Sequence, residues 1–505
     1  MSGNVQARSS NSNTTGSDGN GDTQSSSKSE TESSEPNEIQ NTRVSFNHAS
    51  FAPIQRNLLP LTAEVASNGH LNIGGLDLLD LAEEFGTPLF VYDEAHLRHA
   101  CREALAAWGP GVAYATKAFL CRAMAELAYQ EGMNLDVSTL GELEVALAAQ
   151  VPADRLVLHG NNKTNEELQR ALEVGVGRIV VDSFDEIARL GALIESRSIN
   201  DLLSLPEKNT LPSTPTTPIN SERNFERNFE RPKVLIRVTP GVEVHTHEFV
   251  RTGQEDSKFG FSILSGAADA AVAAVELMGG VELVGIHAHI GSQVFDVGAF
   301  EQAAKVVSDF FAPLGLSELV VGGGLGVPYI NGEVAPSQAE WAASTRQACE
   351  RSGVSSSTRL SSEPGRSIVA SAALTLYRVG TIKQLPNIRT YVSVDGGMSD
   401  NPRPVLYGSG YEAFLPRCTD SERTLSARVV GKHCESGDVI VRDAFLPKDL
   451  AVGDILATPV TGAYGYSMAS NYNKVPRPAV IFVSDGKART VVRRETIEDL
   501  LRLDL

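Results

Sequence analysis

Short apolar runs alternate with amphipathic stretches through the middle of the chain. The stretches repeat their apolar positions at helical spacing, and they lie at residues 140–150, 164–175, 183–195, 298–314 and 336–350. The runs predict buried strands at residues 112–116, 134–138, 155–159, 178–182, 233–238, 283–289, 318–322 and 358–363. Eight strands with helical crossovers predict an α/β fold, a TIM-like (β/α)8 barrel, whose active site lies at the carboxyl ends of the strands.

The pattern changes after about residue 371. The predicted strands become short and are separated by turns, at residues 392–394, 427–430, 439–441, 455–458 and 479–483. This texture is typical of an antiparallel β domain. We therefore predict a barrel at residues 93–371 and a C-terminal antiparallel β domain at residues 372–505. Residues 51–92 precede the barrel, and we expect them to join the β domain.

Two segments have the composition of disordered chain. Residues 1–50 are rich in Ser, Asn, Thr and Gly and contain few apolar residues, so burial cannot offset the entropy lost on ordering. Residues 199–231 contain four prolines and a short tandem repeat, Asn-Phe-Glu-Arg. We interpret this second segment as a disordered insertion in a surface loop of the barrel.

Charge and cysteine content narrow the classes of function. The net charge of −18 argues against nucleic-acid binding, which needs clustered Lys and Arg. The five cysteines are odd in number and scattered, without a CxxC pair, which favours a reducing cytoplasm. No apolar stretch approaches the roughly 18 residues needed to span a bilayer, and the N-terminus lacks an apolar signal core. We expect a cytoplasmic protein with no membrane or nucleic-acid partner.

A lysine follows the first predicted strand, in Tyr114-Ala115-Thr116-Lys117. Burial at a strand end would lower the pKa of the amine and make it nucleophilic, as Schiff-base chemistry requires. Most lysines near strand ends are solvated surface residues. A catalytic role for Lys117 therefore depends on whether the ends of the other strands carry further polar residues. Those ends carry Asp136, Ser138, His159, Asn161, Asp182, Arg237, His289, Gly322–Gly324 and Glu363.

Two motifs at the last strand ends suggest an anionic, aromatic ligand. The run Gly322-Gly323-Gly324-Leu325-Gly326 would let backbone amides approach a phosphate, although a tight strand-to-helix turn explains it equally well. In Glu363-Pro364-Gly365-Arg366, a buried glutamate could keep a pyridine nitrogen protonated, and the guanidinium could hold a phosphate or carboxylate. The alternative for the second motif is a surface Glu–Arg pair across a turn.

The sixth strand ends in His287-Ala288-His289-Ile290-Gly291-Ser292-Gln293. A His-x-His pair on one face of a strand suits a metal site, with His159, Asp136 and Asp182 as further ligands. That hypothesis leaves the lysine, the glycines and Glu-Pro-Gly-Arg without a role, so we predict no metal. In the cofactor interpretation, His289 stacks on an aromatic ring, Ser292 helps to hold its phosphate, and His287 is structural.

These motifs, together with Cys434-Glu435-Ser436-Gly437-Asp438 and Thr461-Gly462-Ala463-Tyr464, resemble in order and spacing the motif series of the fold type III pyridoxal-phosphate decarboxylases. Within that group the series is most similar to the diaminopimelate decarboxylases, from about residue 55 to the C-terminus. The resemblance implies an alanine racemase-like barrel with a β domain, and pyridoxal 5'-phosphate as cofactor. Phe119 departs from the pattern, since relatives often have Asn there.

The resemblance also implies roles for individual residues. Lys117 would hold the cofactor covalently, His289 would stack on its ring, and Glu363 would pair with its nitrogen. The cofactor-binding set is Lys117, His289, Ser292, Gly322, Gly323, Gly324, Glu363, Pro364, Gly365, Arg366 and Tyr464. Cys434 would protonate the carbon that has lost CO2. On its own, Cys434 reads as a small core residue, but the loop-forming residues around it argue otherwise.

Substrate choice depends on a second arginine. Diaminopimelate has a distal carboxylate as well as a distal amine, so its site needs a cation. The resemblance assigns substrate binding to Arg366, Arg403, Tyr407, Glu435 and Tyr464, with Glu435 on the amine. The alternative for Arg403, between Pro402 and Pro404, is a surface arginine in a turn.

Three functions remain open from the sequence. The resemblance favours decarboxylation of meso-2,6-diaminopimelate to L-lysine and CO2, the last step of lysine synthesis. The alternatives are a decarboxylase of ornithine, arginine or a carboxylated polyamine, and a cofactor-binding regulator without activity. The resemblance further implies a homodimer in which Cys434 completes the site of the other subunit.

Overall fold

The computed structural model describes residues 52–203, 231–241 and 256–505, and the structural statements below concern those residues. The predicted disordered tail therefore lies outside the described residues, as does most of the predicted insertion at 199–231. Residues 199–203 are an exception, because they continue a helix of the barrel, so the predicted disorder is wrong for them. The apolar spacing of that helix extends to Leu203, which the prolines that follow had obscured.

The first described range contains a small three-stranded sheet, followed by a central strand of a larger sheet. The small sheet is antiparallel and comprises β1 (Glu64–Val65), β2 (Leu71–Ile73) and β3 (Leu76–Asp77). Helix α1 (Leu78–Phe85) follows, and then the fully buried strand β4 (Leu89–Asp93). Asp93 accepts hydrogen bonds from the backbone N–H groups of Ala95 and His96, which starts helix α2 (Glu94–Trp108).

Each of the eight predicted barrel strands is confirmed, and all of them pair in parallel. They are β5 (Ala113–Ala115), β6 (Asn134–Val137), β7 (Leu156–Leu158), β8 (Arg178–Val181), β9 (Lys233–Thr239), with a short β10 (Phe261–Ser262) beside it, β11 (Glu282–Ala288), β12 (Glu318–Val320) and β13 (Arg359–Ser361). The first and last strands close the ring, since the N–H groups of Ala113 and Ala115 donate to the carbonyls of Ser362 (3.0 Å) and Pro364 (3.1 Å).

Helices cover the outside of the barrel and an aliphatic layer fills its inside. The helices are α3 (Arg122–Gln130), α4 (Leu140–Ala148), α5 (Asn165–Val174), α6 (Phe184–Leu203), α7 (Ala267–Met278), α8 (Val297–Phe311) and α9 (Gln338–Arg351). Capping boxes at Thr164 and Ser337 start α5 and α9. The interior cluster consists of Val157, Val180, Leu235, Val284 and Val320, so the barrel is a packed core below its polar rim.

A second sheet follows the barrel. Its elements are α10 (Arg366–Val369), β14 (Ala373–Leu385), β15 (Arg389–Val394), α11 (Arg403–Tyr407), β16 (Leu425–Val430), β17 (Val439–Leu446), β18 (Ile455–Pro459), β19 (Ala479–Ser484), β20 (Lys487–Val492) and α12 (Ile497–Leu501). Strand β4 lies between β14 and β19.

The second sheet is mixed, although the prediction was an antiparallel domain. Five of its strand pairs are antiparallel, but β15–β16 and β4–β19 are parallel. A long connection containing α11 separates β15 from β16, which allows the chain to cross back and run in the same direction. Strand β4 comes from the other end of the chain, so no local turn determines its direction.

The connection after β18 returns to the barrel and places a tyrosine at its rim. Gly462 lies so close to helix α10 that a Cβ there would come within 1.9 Å of the Val369 carbonyl oxygen. The N–H of Tyr464 then donates to the Ala118 carbonyl at 2.8 Å. Tyr464 has a φ of +58°, a strained conformation for a bulky residue that the two barrel contacts maintain. In the described part of the chain, none of the helices is both long and apolar enough to cross a membrane.

Candidate active site

A cavity of about 320 Å³ opens at the carboxyl ends of the barrel strands. Its size falls in the range of small-molecule sites. Most of the polar residues predicted at the strand ends line it, together with Phe259, Ser367 and Tyr464. The lining includes Lys117, Asp136, Ser138, His159, Asn161, Arg237, His287, His289, Ser292, Gly323, Gly324, Glu363, Gly365 and Arg366. Arg403, Tyr407, Cys434 and Glu435 are not among the lining residues.

Lys117 follows β5 in a single 3-10 turn and faces the cavity. The hydroxyl of Thr116 donates to the Asp136 carbonyl at 2.7 Å, which ties this turn to the neighbouring strand. The Lys117 side chain is exposed at the cavity wall, so the expectation that it is buried is wrong. Phe119 is fully buried and stacks on Tyr92 at 4.4 Å, so the departure from the family pattern affects the core.

Glu363 lies at the end of β13 between two histidines. Its Oε1 is 2.9 Å from Nε2 of His159, and its Oε2 is 2.9 Å from Nε2 of His287. Burial alone would raise the pKa of Glu363, but the two histidines lower it well below its usual value. The carboxylate is therefore ionised over the physiological range. Glu363 is buried, so the alternative of a surface Glu–Arg pair is wrong.

The pKa values of the two histidines shift in opposite directions. Burial lowers the pKa of His159, but Asp136 and Glu363 outweigh it and raise the pKa above its usual value. Burial lowers the pKa of His287 to about 4, so His287 donates to Glu363 as a neutral ring. Sequence reasoning treated His287 as structural and gave His159 no partner. Both contact Glu363, from the end of β7 and from β11.

His289 faces the cavity as a neutral ring. The N–H of Gly323 donates to its Nδ1 at 3.0 Å, which fixes Nδ1 as an acceptor and leaves the proton on Nε2. Enclosure by the protein, followed by the charges of Lys117 and Arg237, lowers the pKa of His289 well below its usual value. A neutral ring at the cavity wall is suited to stack on another aromatic ring.

The three consecutive glycines are required where three strand ends meet. A Cβ would come within 2.5 Å of the Ala288 carbonyl oxygen at Gly322, within 2.3 Å of the Glu363 carbonyl oxygen at Gly323, and within 2.4 Å of the Gly291 carbonyl oxygen at Gly324. The turn interpretation is therefore sufficient to explain them. It also brings bare backbone to the cavity wall, which a phosphate ligand needs.

Arg366 is buried at the other side of the cavity. Its Nη1 donates to the Tyr329 hydroxyl at 2.7 Å and its Nη2 donates to the Ser292 hydroxyl at 2.8 Å. Its guanidinium also lies 4.8 Å from the centre of the Tyr464 ring. The Nε–H has no hydrogen-bond partner, although it is buried. An unsatisfied charged donor of this kind indicates a site for an anionic ligand.

Arg403 begins helix α11 and is also buried, so the alternative of a surface arginine is wrong. Its Nη1 donates to the Tyr411 hydroxyl at 2.5 Å, and its guanidinium lies 4.2 Å from the centre of the Tyr329 ring. Burial would lower the pKa of Arg403, but the two tyrosines raise it above its usual value. Its Nε–H has no partner either. Tyr407, one helical turn later, is half-buried.

Cys434 and Glu435 are exposed on the loop between β16 and β17. The residues around them are anchored. Asp438 accepts hydrogen bonds from the N–H groups of Met398 (2.7 Å) and His433 (2.8 Å), and Nε2 of His433 lies 2.8 Å from the Ser399 hydroxyl. The Cys434 thiol and the Glu435 carboxylate are thus exposed to solvent, while hydrogen bonds hold the backbone of the loop beneath them. The alternative of a core cysteine, which the loop-forming neighbours argued against, is wrong.

Comparison with known proteins identifies the family. Residues 94–208 and 219–370 match the model of the pyridoxal-dependent decarboxylases, pyridoxal binding domain. The diaminopimelate decarboxylase of Mycobacterium tuberculosis is 46% identical over 86% of this chain and 95% of its own length. This chain belongs to the diaminopimelate decarboxylase family.

Solved structures of the family show the same fold. The crystal structure of the M. jannaschii diaminopimelate decarboxylase in complex with L-lysine has a TM-score of 0.76 at 31% identity, and covers 88% of this chain and 98% of its own. The Helicobacter pylori diaminopimelate decarboxylase complexed with L-lysine has a TM-score of 0.72 at 29% identity, with coverages of 85% and 99%. The fold type III architecture predicted for the chain is confirmed.

The residues of the cavity fit pyridoxal 5'-phosphate, the cofactor of the diaminopimelate decarboxylase family. The bare backbone at Gly324 and Gly365 and the unpartnered Nε–H of Arg366 suit a phosphate or carboxylate. The ionised carboxylate of Glu363 suits a protonated pyridine nitrogen. The Gly322 carbonyl accepts from the N–H of Glu363 beyond the β12–β13 pair, and the Pro364 carbonyl accepts from the N–H of Ala115, where the barrel closes.

The same geometry bears on the metal hypothesis. The ligating atoms of His159, His287 and Glu363 lie within 4.8 Å of one another, so the three could hold a metal ion. Both carboxylate oxygens of Glu363 already pair with the histidines. A metal would leave Lys117 and Arg366 without a role, and the family assignment favours the cofactor.

Proposed function

We propose that this chain is a pyridoxal-phosphate-dependent carboxy-lyase that converts meso-2,6-diaminopimelate into L-lysine and CO2. The observation that supports this substrate best is the pair of buried arginines, Arg366 and Arg403, each with an unpartnered Nε–H. A substrate with a carboxylate at its far end would satisfy such donors. A substrate that ends in a cation, such as ornithine or arginine, would not.

Lys117, Glu363 and His289 hold the cofactor ring in this proposal. When bound, pyridoxal phosphate withdraws electrons from the substrate carbon, which allows CO2 to leave. Lys117 reaches the cavity from the end of β5 and attaches the cofactor through Nζ. Glu363, which the two histidines keep ionised, retains a proton on the pyridine nitrogen. The neutral ring of His289 stacks on the cofactor.

Ser292, Gly324, Gly365, Arg366 and Tyr464 surround the phosphate. The N–H of Gly323 already donates to His289, so Gly323 contributes its lack of a Cβ instead of a hydrogen bond. The Ser292 hydroxyl accepts from Arg366, which leaves its own proton for a phosphate oxygen. The substrate amine would take the place of Nζ of Lys117 on the cofactor, so Lys117 would serve as the attachment point and Cys434 as the acid.

The far end of the substrate is held by Arg366, Arg403 and Tyr407 on its carboxylate and by Glu435 on its amine. A substrate whose far end carries only an amine satisfies Glu435 but not the arginines, so the site discriminates against it. Cys434 delivers a proton to the carbon that has lost CO2.

Glu435 and Cys434 reach the cavity from the other subunit of a homodimer. Support comes from their exposure on an anchored loop and from their absence from the cavity wall of their own chain. A two-fold dimer makes the exchange reciprocal and gives two identical sites. The free thiols of the described residues also support a cytoplasmic location.

The direct test is CO2 release from meso-diaminopimelate, ornithine, arginine and L-lysine in parallel, with pyridoxal phosphate added. Diaminopimelate should be turned over faster than the others by at least about two orders of magnitude, because unpaired buried arginines disfavour the competitors. Preference for ornithine or arginine would instead support the second decarboxylase hypothesis. Cofactor binding without CO2 release from any of the four would support the regulator hypothesis.

A further inference from the structure

Tyr329 lies between the two buried arginines. It belongs to the loop after β12 and is itself buried. Its backbone N–H donates to Oε2 of Glu333 at 2.7 Å, which holds the loop in place. Neither Tyr329 nor Tyr411 was found by sequence reasoning, because loop tyrosines carry no recognisable pattern.

The side chain of Tyr329 contacts each arginine in a different way. Its hydroxyl oxygen accepts from Nη1 of Arg366 at 2.7 Å, whereas its ring faces the guanidinium of Arg403 at 4.2 Å. Tyr411 supports the arrangement from behind, since its hydroxyl accepts from Arg403 and its ring packs edge-on against Tyr329 at 5.2 Å. One tyrosine therefore fixes two cations relative to each other.

The arrangement leaves the positive charge of both arginines available. Two guanidinium groups in a low-dielectric site repel each other, and an acidic neighbour would relieve the repulsion at the cost of competing with an anionic ligand. In the described residues, no carboxylate forms an ion pair with Arg366 or Arg403. A phenol oxygen and an aromatic face attract cations without cancelling their charge. Each guanidinium also keeps an unpartnered Nε–H.

We propose that Tyr329 is a positioning residue, which sets the separation of Arg366 and Arg403 so that both can bind the carboxylate at the far end of the substrate. This inference rests on the function proposed above. Tyr329 acts through the two arginines, so its loss should weaken the binding of that carboxylate and spare the steps at the reacting carbon.

A pair of probes isolates the far carboxylate. L-Lysine and cadaverine both carry an amine that can reach the cofactor, but cadaverine lacks the carboxylate. Calorimetric titration of the holoenzyme with each probe gives the ratio of their affinities. Tyr329→Phe keeps the ring and loses the acceptor for Arg366, and Tyr329→Leu loses both contacts. Tyr129→Phe is the matched control, since Tyr129 lies on α3 and does not line the cavity.

Tyr329→Phe should weaken the binding of L-lysine about tenfold and leave that of cadaverine within about twofold of the wild type. Tyr329→Leu should weaken L-lysine binding by about a further threefold. With diaminopimelate, KM should rise while kcat changes little, because the far carboxylate is bound equally before and during the reaction. Tyr129→Phe should match the wild type in every measurement.

Three results would overturn the inference. One is wild-type affinity for both L-lysine and cadaverine in a folded Tyr329→Phe variant. Another is a loss of pyridoxal phosphate affinity with the ratio of L-lysine to cadaverine affinity unchanged, which would mean that Tyr329 serves the phosphate through Arg366. The third is an equal weakening of both probes, which indicates a merely structural role. Failure of the wild type to release CO2 from diaminopimelate would refute the proposed function, and is visible before any variant is made.

Discussion

The rim of the barrel and the loop that carries Cys434 are both held by buried hydrogen bonds, yet only the rim surrounds the cavity described above. At the rim, Lys117, Glu363 and His289 face a common space. On the loop, His433 and Asp438 anchor the base while Cys434 and Glu435 point outward. In the function proposed above, the rim of one chain supplies the residues around the cofactor, and the partner chain supplies Cys434 and Glu435.

The pKa of a buried carboxyl group is also shifted in opposite directions in the two regions. Glu363 at the rim has a pKa well below its usual value, because two histidines outweigh the effect of burial. Asp400 lies beneath the Cys434 loop, where burial raises its pKa to about 7 despite hydrogen bonds from Tyr377 and Gly397. The same residue type thus has its pKa shifted in opposite directions by the groups packed around it.

Loss of Lys117 should have the largest effect. Lys117→Ala removes the amine that attaches the cofactor, so CO2 release should fall to the background of the assay. Sodium borohydride should fix the cofactor to Lys117 in the wild type and to no lysine in the variant, as peptide mass spectrometry would show. The exposed Lys305, replaced by Ala, is the control and should keep both label and activity. Label on the buried Lys163 would contradict the assignment.

Glu363→Gln should lower kcat by about 10²–10³, because the neutral amide no longer holds a proton on the pyridine nitrogen. The absorbance spectrum of the bound cofactor should change as well. Glu318→Gln is a matched control, since Glu318 is a buried barrel carboxylate paired with Arg178 at the other end of the strands. It should reduce thermal stability and leave kcat within about twofold. Equal kinetic losses in the two variants would remove the special role of Glu363.

Arg403→Ala should reduce kcat/KM for diaminopimelate by the equivalent of at least about 2 kcal/mol, because a buried carboxylate loses its charged partner. Arg403→Lys should recover only part of this loss, since an ammonium group cannot reproduce the guanidinium fork. The affinity for pyridoxal phosphate should stay as in the wild type. Unchanged turnover in Arg403→Ala would exclude the arginine from the substrate site.

The smallest effect concerns Asp400 and stability. A carboxyl group with a folded-state pKa of about 7 stays protonated in the folded chain after the unfolded chain has ionised near pH 4. Stability should therefore fall as the pH rises from about 4 to about 7 and level off above that. In Asp400→Asn the side chain cannot ionise. Between pH 5 and pH 8 its free energy of unfolding in urea should therefore fall by roughly 1–3 kcal/mol less than that of the wild type. An identical drop in both proteins would contradict the shift.

The sequence predicted the barrel well because its strands are continuous apolar runs between amphipathic helices. Once the strands were predicted, their carboxyl ends were known, and Lys117, His289 and Glu363 could be predicted as site residues because they stand at those ends. The contacts of Glu363 with His159 and His287 could not be predicted, because they depend on how β7, β11 and β13 are placed relative to one another in the closed ring. The parallel pairs of the second sheet were missed for the same reason, since strands joined by long connections carry no local signal of direction.

For residues outside the barrel motifs, the sequence predicted which ones belong to the site but not whether they are buried or exposed. Arg403 sits between prolines and reads equally as a turn residue, and only the packing of Tyr329 and Tyr411 shows that it is buried. Cys434 was predicted as the acid from a resemblance, and its exposure depends on how Asp438 folds the loop. The homodimer stays a prediction.

Subunit exchange tests most directly whether the site is shared. Lys117→Ala and Cys434→Ala should each be inactive or severely impaired when prepared alone. After mixing, dissociation and reassociation, half of the dimers should be mixed, and each of these should contain one site with both lesions and one with neither. Recovered CO2 release should then approach roughly a quarter of the wild-type value. A mixture that stays as inactive as its parents, with exchange shown by mass spectrometry, would mean that each chain builds its site alone.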